Sequence, residues 1–352
     1  MFNFSAGAPR PANDDARLNA ANDLVRRTLT QHGLMGSNLA QPHPQWSGTD
    51  MMSRLQAQMQ GFGTPTGSVD HQMQAGQFTC DAGSRNYLTH VPTNAADGAS
   101  GIVVMLHGCT QNPADFAAGT AMNTLADRHG FVVVYPQQAR GDNAQSCWNW
   151  FSRNDQRRDR GEPAILSGLT RKIAADHGVG ADKTFVAGLS AGAAMAVILG
   201  ETHPDVFAAV GAHSGIPFGV AKDVTTAFAA MAGNAAEPPA TGSASGVRTI
   251  VFHGTSDTTV HPSNGDLIAR HALSRGGAQT IETEDSGTAS GRGFTRRASA
   301  TTAGVPLLEH WVIDGLAHAW SGGKAAGSYT DTKGPDASAE MVRFFFDANG
   351  TR

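Results

Sequence analysis

Cysteine is scarce in this 352-residue chain: Cys80, Cys109 and Cys147 are the three. With no C-x-x-C pair among them, a zinc ribbon or a thioredoxin-type site is not expected. An odd count allows at most one intramolecular bridge, and three reduced thiols in a cytosolic protein is the starting expectation. Charge is also scarce, at 16% of residues and a formal net charge of −4. That leaves no basic footprint for nucleic acid, so no such partner is expected. No run approaches the roughly 18 consecutive apolar residues of a membrane span. The opening MFNFSAGAPRPANDDARLNAAND has no basic stretch followed by an apolar one. No secretory leader is read there, and a cytoplasmic location is the expectation.

Glycine is plentiful, at 42 residues, which points to many turns and close helix–strand contacts. The chain divides by pattern into residues 1–75, a helical N-terminal extension, and residues 76–352. In the extension Asn13 caps a helix, Asp14 and Asp15 suit its first turn, and Gly33 ends it. Leu18, Ala21, Leu24, Val25 and Leu29 recur at helical spacing. A second helix, TDMMSRLQAQMQGFG, has Met52, Leu55 and Met59 on one side. This extension has too little core to fold well alone.

From Gly76 the pattern changes. QFTCDAGSRNYLTHVP reads as two strands around Ala82-Gly83. GIVVMLHG, GFVVVYPQ, KTFVAGLS, FAAVGAHSG, RTIVFHGTSD and LLEHWVID are short apolar runs ending in turn residues, as suits strands buried on both faces. Helical stretches alternate with them at 113–129, 164–177, 191–203, 264–274 and 337–347. The class is therefore α/β, a mostly parallel sheet flanked by helices. Residues 232–246 read as a polar loop, and 287–304 as an exposed loop or hairpin turn.

In such sheets the chemistry lies beyond the carboxyl ends of the strands. Gly188-Leu189-Ser190-Ala191-Gly192 is the chain's one G-x-S-x-G match. A buried strand precedes it and a helix follows, which is the setting of an exposed nucleophilic serine on a strained turn. A close-packing serine is the plainer alternative. The base should follow the last strand, and His318 does, four residues beyond Asp314; His310 lies inside the strand. The acid should follow the strand between, which gives Asp257; Asp266 and Asp285 are weaker candidates. The N–H groups of Ala191 and Cys109 are the candidate oxyanion donors. His107 looks catalytic, but a structural role orienting that loop by a side-chain hydrogen bond fits it better. Trp148 and Trp150, in SCWNWFSRND, form either an apolar wall for substrate or a core plug. A bridge from Cys147 to Cys109 would brace the oxyanion loop. No metal or cofactor is called for.

HGCTQNP, SCWNWF, GLSAGAAMA, HSGIPFG, VFHGTSDTTVHPSNG and HAWSGG…GPDASAEM together resemble the polyhydroxybutyrate depolymerase family of esterases, over about residues 76–347. The resemblance implies an α/β-hydrolase fold and a triad of Ser190, Asp257 and His318. It also implies oxyanion donation from Cys109, a Cys109–Cys147 bridge, and aromatic residues of CWNWF with Trp320 at the cleft. The implied activity is a serine carboxylesterase acting on hydroxyalkanoate polymer or oligomer esters. Feruloyl, acetyl-xylan and short-chain esters are the alternatives within the family. A peptidase of the same fold and a binding protein with a dead triad are more remote. No Thr/Pro-rich linker or added substrate-binding domain is read, which tells against crystalline polymer as substrate.

Overall fold

The computed structural model describes residues 73–95, 98–238, 246–274 and 279–346. The expected N-terminal extension lies outside them, apart from residues 73–75, which open the first strand. The strands are β1 (Met73–Cys80), β2 (Gly83–His90), β3 (Ile102–Leu106), β4 (Val132–Pro136), β5 (Thr184–Leu189), β6 (Ala209–His213), β7 (Arg248–Gly254), β8 (Thr280–Ala289), β9 (Arg292–Thr301) and β10 (Pro306–Ile313). They form one sheet in the order β1-β2-β4-β3-β5-β6-β7-β10-β9-β8. The six strands from β4 across to β10 run parallel. The strands outside them pair antiparallel. Every residue of β3, β4, β5 and β6 is buried, as the continuous apolar runs required.

The helices are α1 (Pro113–Thr120), α2 (Met122–His129), α3 (Gly161–Asp176), α4 (Ala191–Thr202), α5 (Val224–Met231), α6 (Ser263–Ser274) and α7 (Ala337–Phe346). They build two cores on opposite faces of the sheet. Ile102, Val104 and Leu106 of β3 join α3, α4, α5 and α6 in one; Val103 and Met105 join α1, α2 and α7 in the other. The period-2 alternation of a strand is what divides β3 between them.

Three expectations need correction. The helix expected at 113–129 is two, because Ala121 takes a left-handed conformation (φ 51°) and its N–H closes on Ala117 O. Alanine gives no warning of that. Helix α5 was not expected at all, although Asp223 and Thr226 form a reciprocal capping box at its start, a readable signal. Most of 287–304 is strand. β8 and β9 form a long hairpin whose turn is only Ser290-Gly291, both at positive φ. β8 is exposed along nearly its whole length, so no apolar alternation marks it.

The parallel strands stop in step. Leu106 pairs with Gly188, Leu189 with His213, His213 with Phe252, and Gly254 with Ile313. The chain therefore leaves β3, β5, β7 and β10 at one edge of the sheet, and Cys109, Ser190, Asp257 and His318 all follow those exits.

Candidate active site

Ser190 sits between β5 and α4 at φ 58°, ψ −119°. A non-glycine residue there is strained and persists only where its surroundings over-determine it. Here the determinants are visible. A Cβ on Gly192 would lie 2.0 Å from Leu106 O and 2.6 Å from His107 O. One on Gly188 would lie 2.4 Å from the Gly192 carbonyl carbon. The two glycines let β3, β5 and α4 meet, and the Ser190 N–H donates to His213 O at 2.9 Å. Close packing by the two glycines and a half-buried Ser190 thus belong to one turn.

Asp257 and His318 are brought together. His318 Nδ1–H donates to Asp257 Oδ2 at 2.8 Å, which leaves Nε2 as the acceptor nitrogen. Asp257 Oδ1 accepts from the N–H groups of Thr259 (3.0 Å) and Val260 (2.9 Å). Burial pushes the Asp257 pKa up, but the hydrogen bond and charge of His318, with help from His253 and Val260 N–H, bring it down to about 2. His253 braces the same turn, donating from Nε2 to Val260 O at 2.8 Å. Of the weaker acids, Asp285 pairs with Arg296 and Asp266 approaches His310 at 3.8 Å. Among the described residues Asp257 and His318 are hydrogen-bonded, and no hydrogen bond joins Ser190 to His318.

The loop after β3 lies against Ser190: a Cβ on Gly108 would be 3.7 Å from Ser190 Cβ. Gly108 N–H donates to Gln111 Oε1 at 2.9 Å. His107 Nδ1–H donates to Gly108 O at 2.8 Å, and His107 Nε2 accepts from Gln138 N–H at 3.1 Å. His107 is thus the loop-orienting residue expected. Burial drives its pKa down to about 4, against a smaller upward pull from the Gly108 hydrogen bond. Because Gly108 C=O and Cys109 N–H belong to one peptide, a donor on that carbonyl polarises that N–H outward. Cys109 is bridged to Cys147, so one of the two thiol states left open is realised. Among the described residues neither Cys109 N–H nor Ala191 N–H has an acceptor.

The esterase PHB depolymerase family matches residues 85–297, more than half the chain. The chain belongs to that family. Poly(3-hydroxyalkanoate) depolymerase C of Paucimonas lemoignei is 33% identical over 263 residues, covering 71% of this chain and 62% of that protein. A probable acetylxylan esterase A of Aspergillus flavus is 29% identical over 195 residues, 50% of this chain and 61% of its own length. The chain thus spans about three fifths of the length of these curated relatives. Acetyl xylan esterase from Aspergillus awamori superposes with a TM-score of 0.61 at 21% identity, covering 77% of this chain and 98% of that one. The fold is the α/β-hydrolase fold expected.

Within this esterase PHB depolymerase domain the three indoles are buried. Trp148 and Trp320 are fully buried and Trp150 is 6% exposed. Trp148 Nε1–H donates to His107 O at 3.1 Å and Trp320 Nε1–H to Ser338 Oγ at 3.1 Å. Trp148 and Trp320 are thus tied into the interior by their indole N–H groups, the core-plug alternative for Trp148. The SCWNWF segment is also tied down by Glu162. This buried carboxylate accepts from Asn149 N–H and Asn149 Nδ2, each at 2.8 Å, and from Gln138. Burial, with Asp155 close by, lifts its pKa to about 7 against the pull of Arg85 and those donors.

The sequence reading missed the strap at 324–331. Its Ser328 N–H donates to Asp115 Oδ1 (2.9 Å), and Gln111 Nε2 donates to Ser328 O (3.0 Å). Tyr329, at φ 52°, accepts from Trp320 N–H through its carbonyl at 2.8 Å. Its phenol lies 3.0 Å from Thr110 Oγ, which already donates to Cys109 O. A half-buried aromatic ring therefore does stand beside the loop after β3, and it is Tyr329. Its only signal was the glycine-rich run before it, which permits the crossing over Gly119. A cavity of about 770 Å³ between α6 and β8–β10 contains none of these groups.

Among the described residues no cluster of three or more His, Cys, Asp or Glu side chains could hold a metal ion, and no helix is long and apolar enough to cross a membrane. Burial keeps His107, His213 and His310 neutral, with pKa values near 4, 3 and 4. An unfolded chain binds protons at such imidazoles near pH 6.5, so the stability they confer is complete above that pH and is lost as pH falls toward 4. The slope is about 1.4 kcal/mol per pH unit for each histidine. Urea unfolding at pH 7, 6 and 5 should show a steep decline, and a flat profile would contradict the burial of these rings as neutral groups.

Proposed function

We propose that this chain is a serine carboxylesterase whose substrates are hydroxyalkanoate esters, oligomeric or polymeric. The observation that carries the reading is Ser190 on its strained turn at the sheet edge where Asp257 and His318 are already paired. Ser190 Oγ attacks the ester carbonyl while His318 Nε2 takes its proton. Asp257 holds the imidazole and balances its charge. The N–H groups of Cys109 and Ala191 receive the oxyanion. The alcohol leaves with the proton from His318, and water, activated by the same nitrogen, releases the acid and restores Ser190.

The likeness to Poly(3-hydroxyalkanoate) depolymerase C favours hydroxyalkanoates. The likeness to acetylxylan esterases favours a second reading, in which acetyl groups are removed from a polysaccharide. The Cys109–Cys147 bridge favours an oxidising compartment over the cytoplasm expected from the opening residues.

A fluorophosphonate should add to Ser190, located by peptide mass. Hydroxybutyrate trimer, acetylated xylan oligosaccharides and methyl ferulate should then be compared side by side. The hydroxybutyrate oligomer should have the highest kcat/KM. Preference for acetylated xylan would favour the second reading, and absence of labelling would leave a binding protein.

A further inference from the structure

Fourteen histidines made the base hard to choose from sequence, and one that was not weighed there, His213, bonds to both the Ser190 turn and the chain just after His318. His213 ends β6 and is wholly buried. Its backbone carbonyl accepts the Ser190 N–H at 2.9 Å. Its ring Nε2 accepts the Ser321 N–H at 3.0 Å. A backbone N–H can only donate, so Nε2 carries no proton, and the ring proton sits on Nδ1, 3.3 Å from Ser214 Oγ. The ring is stacked between Trp320, with centroids 5.2 Å apart, and Phe252, 5.7 Å apart.

We infer that His213 is the positioning residue that couples the nucleophile to the base, fixing Ser190 through its carbonyl and the His318 loop through its ring. This rests on the serine esterase reading above. Ser321 follows His318 by three residues, and Trp320 by two. The chain leaving His318 is therefore pinned at Ser321 N–H and Trp320 by the residue that sets the Ser190 peptide. No other described residue bonds to both segments. Burial, opposed only weakly by Asp257, lowers the His213 pKa to about 3, so the ring stays a neutral acceptor across the working range of an esterase. A residue in this role never touches substrate. It acts through the distance between Ser190 Oγ and His318 Nε2, to which rate is steeply sensitive: a misplacement of about 1 Å costs on the order of 100-fold.

The test compares three variants on p-nitrophenyl butyrate, with kcat expressed per site titrated by a fluorophosphonate. His213→Phe keeps an aromatic ring and removes the acceptor. His213→Asn keeps an amide too short to reach Ser321. His213→Gln places an amide oxygen near the position of Nε2. The Phe and Asn variants should lose about 10- to 100-fold in kcat, with KM within about twofold of the unaltered chain. The Gln variant should recover most of that loss. Equal losses in all three, or Phe and Asn variants within about twofold of the unaltered kcat, would overturn the coupling role. If His213→Phe does not fold, the Gln and Asn pair decides; if none folds, the residue is a packing element and the inference fails. Ser190→Ala separates the two levels. Residual turnover there defeats the esterase reading itself, whereas a dead Ser190→Ala beside unimpaired His213 variants defeats only the coupling.

Discussion

Ser190→Ala is expected to abolish ester hydrolysis and leave the fold standing. The fall in kcat on p-nitrophenyl butyrate should be about 10⁶-fold, the scale on which a nucleophilic serine is lost from a working triad. The fold should survive because the Ser190 hydroxyl holds nothing in place. The turn is held by the Ser190 N–H on His213 O, by the Ala194 N–H on Ser190 O, and by the two glycines against β3. Alanine keeps all of these and the same strained φ. Thermal unfolding should therefore change by no more than a few degrees. Turnover within tenfold of the unaltered chain would mean that the nucleophile lies elsewhere.

Asp257→Asn should cost about 10⁴-fold in kcat, with KM little changed. The reason lies in the two oxygens. Oδ1 accepts two backbone N–H groups, from Thr259 and Val260, so in the variant the amide oxygen must occupy that place. The NH₂ then faces His318 and donates to Nδ1, which drives the ring proton onto Nε2. A nitrogen already protonated cannot take the serine proton. The variant should also lose a pH dependence of stability. Asp257 is held at about 2 against an ordinary 3.8, so its stabilisation is present above pH 3.8 and disappears as pH falls toward 2. Asparagine has no such window. Steady-state kinetics and acid unfolding of the two proteins check both statements, and a kcat within tenfold would remove Asp257 from the mechanism.

The parallel core was legible because its strands are buried on both faces, and continuous burial writes continuous apolar runs. β3 through β6 are the case in point. What escaped is structure whose cause lies in neighbours far along the chain. Ala121 breaks a helix by adopting a conformation that no letter announces. β8 is a strand because β9 pairs with it, while its own side chains face water. The indoles of SCWNWF and HAWSGG were scarce and clustered, which marked them as important but could not say on which side of the loop they lie. Tyr329 was missed for the complementary reason: its place is set by Gln111, Asp115 and Thr110, more than two hundred positions away. The triad candidates were legible because each follows a strand whose end could be read, and the sheet aligns those ends.

The order of strands carries a consequence for how the protein is made. β10 is the last strand of the large sheet in sequence, yet it lies inside the sheet, between β7 and β9. A chain emerging from the ribosome has already produced Ser190, Asp257 and the β8–β9 hairpin before β10 exists, and His318 comes after β10. Until that strand is in place, the hairpin has no partner on its inner edge and Asp257 has no His318 to pair with. On the serine esterase reading proposed above, hydrolytic competence is therefore a late event of synthesis. A ribosome stalled short of His318 would carry a nascent chain with a nucleophile and no activity.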